Sequence, residues 1–172
     1  MKALSALIPV ISALAVGTAW AQGGPSDPQI AGIVVTANQI DIDAGKIAKS
    51  RSKNKEVQAF AEQMITDHTA VNKQAVALAN NLKVKPEDSD TSKSLKEGAK
   101  KNEANLKKLQ GDAFDKAYVD HEVAYHQAVL DAIDKTLIPS AKNEELKALI
   151  TKVRPAIAAH LDHAKHIQGT LK

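Results

Sequence analysis

The 172-residue chain carries 23 basic and 20 acidic residues, a net charge of +3, and is 44% hydrophobic. That length supports one domain with a substantial core. So small a basic surplus excludes the concentrated charge of a nucleic-acid binder. The absence of cysteine excludes disulfides, thiolate metal sites, cysteine nucleophiles and a lipid-anchored cysteine.

The first segment, "MKALSALIPVISALAVGTAWA" (1–21), has a basic start at Lys2, an apolar run and the small-x-small ending Ala19-Trp20-Ala21. This pattern predicts a secretory signal peptide cleaved after Ala21. The run is short for a membrane span and lacks a charged flank after it. The mature chain shows no second apolar run, so no transmembrane segment is expected in it. A periplasmic or secreted product follows. Residues 22–28 read as a turn-rich linker and 29–172 as the domain, with Asp27-Pro28 as a cap and first-turn signal.

Everything beyond the linker predicts helix. Glycine is sparse and the β-branched alternation of strands is missing. Breaks fall at "RSKNKE" (51–56), "KVKPEDSDTS" (83–92), "QGDAFD" (110–115, with Asp112 as N-cap) and "LIPSAKN" (137–143). Five apolar stripes lie between them. The first is Ile30, Ile33, Ala37, Ile40, Ala44 and Ile47. The second is Val57, Phe60, Met64, Val71, Ala75, Leu78 and Leu82. The third, Leu95, Ala99, Leu106 and Leu109, is the weakest. Phe114, Tyr118, Tyr125, Val129 and Ala132 make the fourth. The fifth comprises Leu146, Leu149, Val153, Ile157, Ala164, Ile167 and Leu171, with Pro155 either kinking the helix or restarting it. Short loops between long amphipathic helices make antiparallel neighbours that share a core, so the fold class is all-α, a four- to five-helix bundle.

Polar residues break these stripes in a pattern. Each helical residue turns by about 100°. On that wheel His68, with Asp67, borders the buried face of the second helix. In "HLDHAKH" (160–166), His160 takes a stripe position, His163 the boundary, and His166 the solvent side. Glu122 falls near the middle of the widest apolar arc, with His126 one turn on and His121 at its edge. A carboxylate in such an arc needs a partner, because burying an unpaired charge costs several kcal/mol.

Side chains on facing helices of a bundle build metal sites in its core. His68, Glu122, His126, His160 and His163 are therefore the candidate ligands. Imidazole with carboxylate suits a transition metal ion: iron, manganese, zinc or copper. The competing reading is a structural cluster in which Glu122 pairs with His126 at i,i+4 or accepts from a tyrosine.

No Glu-x-x-His, His-Glu-x-x-His, phosphate loop, dinucleotide fingerprint or Ser-His-Asp order is present. This points away from an enzyme, and no catalytic residue or partner is assigned. A metal-binding protein is the leading expectation, and a non-enzymatic envelope stress or interaction module the alternative.

Three motifs carry a family resemblance. They are "F-A-x-x-M-x-x-D-H" at Phe60, Ala61, Met64, Asp67 and His68; "F-D-x-x-Y" at Phe114, Asp115 and Tyr118, followed by His126; and "H-L-x-H-A" at His160, Leu161, His163 and Ala164. The chain resembles the exported bacterial family filed as domain of unknown function 4142 over nearly all of its expected mature length. The resemblance implies a ferritin-like fold and no established activity.

The single tryptophan, Trp20, lies in the expected leader. After export the protein should begin at Gln22 and show tyrosine emission only. Amino-terminal sequencing of the exported product together with its fluorescence spectrum checks this; tryptophan emission or an intact leader would refute it.

Overall fold

The computed structural model describes residues 24–171; the expected leader, 1–21, lies outside them. Five long helices follow in order: α1 (Asp27–Arg51), α2 (Lys55–Asn81), α3 (Asp90–Leu106), α4 (Gly111–Ala132) and α5 (Glu144–Thr170). No strand occurs among the described residues, so the expected all-α bundle is what the chain forms. None of the described helices is long and apolar enough to cross a membrane.

The α1–α2 and α4–α5 pairs are the two most extensive helix contacts, and α2 also packs on α5. Helix α3 lies against α1 and α4 and buries only Ser92 and Leu106. Its weak stripe explains this, since four apolar positions cannot hold a helix deep in a core.

Local signals set the helix ends, with several departures from expectation. The cap of α1 is Ser26 rather than Asp27: its side chain accepts from Gln29 N while Gln29 Oε1 accepts from Ser26 N. Asp27 instead accepts from the backbone N–H groups of Lys142 and Asn143, at 2.9 and 3.0 Å, tying the start of α1 to the turn that precedes α5. Helix α4 starts at Gly111, one residue before the expected cap Asp112, with φ +56°, a conformation glycine adopts without Cβ strain. The predicted break at 137–143 begins later. After α4 the chain continues through a π-turn, Ile133–Leu137, and a short turn, Ile138–Ser140. The wider turn delivers the chain to Pro139, which has no N–H to donate. Helix α5 runs unbroken past Pro155, so that residue does not restart it.

The core has two apolar halves. One gathers Ala44, Ala48, Phe60, Met64, Tyr118 and Ile167; the other gathers Ile30, Ile33, Leu137, Ile150, Ile157 and Leu161. Along α1, α4 and α5 the chain passes from one half to the other, and α2 enters the first half. The stripe of α1 is also re-phased. Ile40 and Ile47 are only half-buried, whereas Asn38, Asp41 and Ala48 face inward.

The loop between α2 and α3 docks on α1. Glu87 N donates to Pro28 O at 2.9 Å, and a Cβ on Gly32 would stand 2.0 Å from the Glu87 carbonyl oxygen. Gly32→Ala should therefore lower stability by about 2 kcal/mol or more, because backbone must move. Gly98, inside α3, is the control: nothing lies within 4 Å of the place a methyl group would take. Gly98→Ala should gain about 0.5–1 kcal/mol from helix propensity. Urea unfolding of the two variants measures both, and an unshifted midpoint in Gly32→Ala would show that the loop is not docked as described.

Candidate metal centre

Between the two apolar halves lies a polar layer. Asn38 and Asp41 come from α1, His68 from α2, Glu122 and His126 from α4, and His160 from α5; all are buried, Glu122 completely. Each sits on its helix's apolar stripe at the level where one half gives way to the other. Ile33 and Ala44 flank the α1 pair, Val119 and Leu130 the α4 pair, and Ile157 and Ala164 flank His160.

The three imidazoles face one another. Ring centroids are 5.7 Å apart for His68–His126, 5.3 Å for His68–His160 and 5.6 Å for His126–His160. One ligand nitrogen from each lies within 4.8 Å of the other two.

Hydrogen bonds at the far side of each ring decide its tautomer. Asn38 Nδ2 donates to Val34 O at 2.8 Å, which turns Asn38 Oδ1 towards His68 Nδ1 at 2.7 Å. That amide oxygen can only accept, so His68 carries its proton on Nδ1. His126 Nδ1 meets the Glu122 carbonyl oxygen at 3.0 Å, again an acceptor. His160 Nε2 meets Asp67 Oδ2 at 2.9 Å. The remaining nitrogens, His68 Nε2, His126 Nε2 and His160 Nδ1, hold lone pairs, are buried, and have no hydrogen-bond partner among the described residues. Leaving a buried acceptor unpaired costs about 1–3 kcal/mol, and here there are three.

Two carboxyl groups adjoin the imidazoles. Asp41 Oδ2 is 3.5 Å from His68 Nε2, and Glu122 Oε2 is 3.4 Å from His126 Nδ1. Neither Glu122 oxygen finds an N–H or O–H donor on the surrounding side chains. A proton held on the Asp41–Glu122 pair, which has a ligand oxygen of each within 4.8 Å of the other, is the available compensation. Burial raises both, Asp41 further because of the neighbouring Glu122 charge. The buried Tyr118 hydroxyl, also unpartnered, is raised by burial and by Glu122. Tyr125 OH donates to Ala37 O at 3.2 Å.

Of the five residues singled out in the sequence, His68, Glu122, His126 and His160 come together here. His163 does not join them. Its Nδ1 faces Gln63 Oε1 at 3.1 Å and its ring stands edge-on to Phe60 at 5.2 Å, one turn of α5 beyond the layer. His121 stacks on Tyr125 at 5.6 Å, outside the cluster, and His166 is exposed. Sequence reasoning missed Asn38 and Asp41. A signal for Asp41 existed: positions 30, 33, 37, 41, 44 and 48 keep helical spacing and put Asp41 in line with five small or apolar residues.

The metal-free protein should show a distinctive pH dependence. Burial pulls His68 down to about 3 and His126 to about 4, from an ordinary 6.5, and lowers His160 as well. Below about pH 6.5 the unfolded chain therefore binds more protons than the folded one, and stability falls as pH falls. Glu122 is pushed up to about 8 from 4.5. Between those values the folded state binds more protons, so its contribution is lost as pH rises. The slopes oppose each other between about pH 4.5 and 6.5. The melting temperature in the presence of a chelator should be highest there and drop on both sides, by about 5 °C between pH 6.5 and 8.5. Glu122→Gln should reduce the alkaline drop, and Asp41→Asn added to it should remove most of what is left, since burial raises the Asp41 carboxyl as well. Circular-dichroism melts across that range measure this; an alkaline drop unchanged in Glu122→Gln would refute the assignment.

No curated protein and no solved structure matches the chain significantly. The family model described as Domain of unknown function (DUF4142) matches residues 14–167. With nearly the whole domain covered, the polar layer included, the chain belongs to that family.

Proposed function

We propose that this is an exported helical-bundle protein that binds a transition-metal ion through His68 Nε2, His126 Nε2 and His160 Nδ1. The observation that carries this reading is a trio of buried imidazoles, each with a ligand nitrogen within 4.8 Å of the other two, each with one unpartnered nitrogen and with the opposite nitrogen tied to an acceptor. This is how outer partners orient histidines for a metal. Of the surrounding carboxyls only Asp41 comes near one of those lone pairs, 3.5 Å from His68 Nε2.

Nitrogens bound to one tetrahedral ion at about 2.0–2.1 Å lie about 3.3 Å apart, so rotations of the rings close the site from its present spacing. An imidazole set without thiolate suits zinc, copper or iron better than magnesium or calcium. Asp41, 3.5 Å from His68 Nε2, is the carboxyl on the ligand side of the imidazoles, where it can hydrogen-bond to a molecule held beside the ion, while Glu122 approaches His126 at Nδ1. A doubly charged ion beside the pair favours its ionised form, so metal uptake is expected to release protons. The export half of the proposal is supported by the signal-like first segment alone.

Elemental analysis of natively purified protein and titration with Zn(II), Cu(II), Fe(II) and Mn(II) test the reading. One ion per chain is expected, with a rise in melting temperature that grows with metal concentration. His160→Ala should lose at least about 100-fold in affinity. Asp67→Asn changes only the outer partner on a half-exposed side chain and should lose about 10-fold or more with the fold intact. Sub-stoichiometric binding and no thermal stabilisation by any of the four ions would overturn the proposal.

A further inference from the structure

A separate chamber reaches the polar layer from one side. It has a volume of about 90 Å³ and is walled by Ile33, Val71, Ile133, Leu137, Ile150 and Ile157, with Leu95 and Thr91 of α3 on its outer side. Four polar side chains enter its lining: Asn38, Asp41 and His68 on the side of the polar layer, and the exposed Thr91 of α3 at the outer side. Both polar atoms of the Asn38 amide are already committed, to His68 and Val34. Next to the layer, the groups most available to an occupant are Asp41 and the His68 Nε2 side, where the buried nitrogen has no partner among the described residues. His126 and His160 do not line the chamber, so it approaches the centre from the α1–α2 side only.

These features restrict what fits. No lysine or arginine lines the wall, so an anion finds no counter-charge. The volume is about three times water's share of the liquid, room for about three to five non-hydrogen atoms. Water there would find hydrogen-bonding groups beside the layer and at Thr91 on the outer side, but hydrocarbon along the rest of the wall, whereas a bound water ordinarily makes about three hydrogen bonds. An occupant with an apolar body and one neutral polar head matches the layer edge and the hydrocarbon wall at once.

We propose that this chamber is a binding site for a small uncharged molecule of the short-chain alcohol class, its hydroxyl directed to the His68–Asp41 edge and its carbon chain lying among Ile133, Leu137 and Ile150. The proposal deepens the metal reading and rests on it. Three imidazoles leave a coordination position; the hydroxyl oxygen occupies it, and its proton faces Asp41. No bond in the alcohol is broken and no electron is transferred.

The probes are Co(II), whose visible spectrum reports its coordination, and 1-propanol. Full-length mature protein is first loaded with Co(II) and then titrated with 1-propanol. A saturable change in the visible bands is expected. The isosteric 1-chloropropane, which lacks the hydroxyl, should bind at least 10-fold more weakly. Ala132 lines the chamber but lies away from the metal ligands, so Ala132→Leu should abolish the alcohol response while Co(II) affinity stays within 2-fold. Leu137→Ala, which enlarges the chamber, should shift preference from 1-propanol towards 1-pentanol by 5-fold or more, and it keeps the test alive should Ala132→Leu misfold. Failure to bind Co(II) and all four of the ions named above would overturn the metal reading and this one together; failure with Co(II) alone would overturn this inference. Co(II) uptake without a saturable alcohol response, or with equal response to 1-chloropropane, would overturn this inference alone.

Discussion

The polar layer in the middle of the bundle is the constraint on which the rest of the structure depends. Six hydrogen-bonding side chains, two of them carboxyls, are buried where four helices meet, with apolar core above and below. Such groups are tolerated only when their partners stand at hydrogen-bond distance. Sliding one helix by a turn relative to its neighbours would strand Glu122 or a histidine against hydrocarbon. The layer thus acts as a register pin, while the apolar halves supply the drive to pack.

The supporting contacts make sense around that pin. Asn38 is held by its own helix through Val34 and in turn fixes the His68 ring. Asp67 sits half in solvent, where its charge is cheap to keep, yet reaches in to His160. The Glu122 backbone carbonyl does the same for His126 from within α4. Each imidazole is therefore aimed by a different kind of acceptor on a different element. The two helical hairpins bring these acceptors and their rings together. Helix α3 contributes no member of the layer; it covers the apolar chamber beside it through Leu95 and Thr91.

Four members of the layer are legible from the residues alone, because a histidine or glutamate on an apolar stripe is conspicuous. Asp41 is not. In "IDIDAGK" it alternates with Asp43, and the stripe legible in the sequence passes through Ile40 and Ala44 to Ile47 instead. Only the direction in which α1 packs separates the buried Asp41 from Asp43, whose carboxylate pairs with Lys46 near the surface. Asn38 is hidden for the same reason. His163 errs the other way. It is near the inward face of α5, but Phe60 and Gln63 of α2 claim it one turn away from the layer.

Helical periodicity, sparse glycine and the spacing of breaks were enough to determine an all-α bundle, because burying an amphipathic stripe is a local demand that each helix states in its own residues. The same pattern marked His68, Glu122, His126 and His160 as inward-facing. Which of them share one space was decided only by tertiary structure. Convergence depends on the relative rotation and axial offset of helices far apart in the chain, and those are set by how all the side chains interlock. The π-turn after α4, the seating of the loop on Gly32 and the inward turn of Asp41 belong to that same category: each answers a neighbour that the local sequence does not contain.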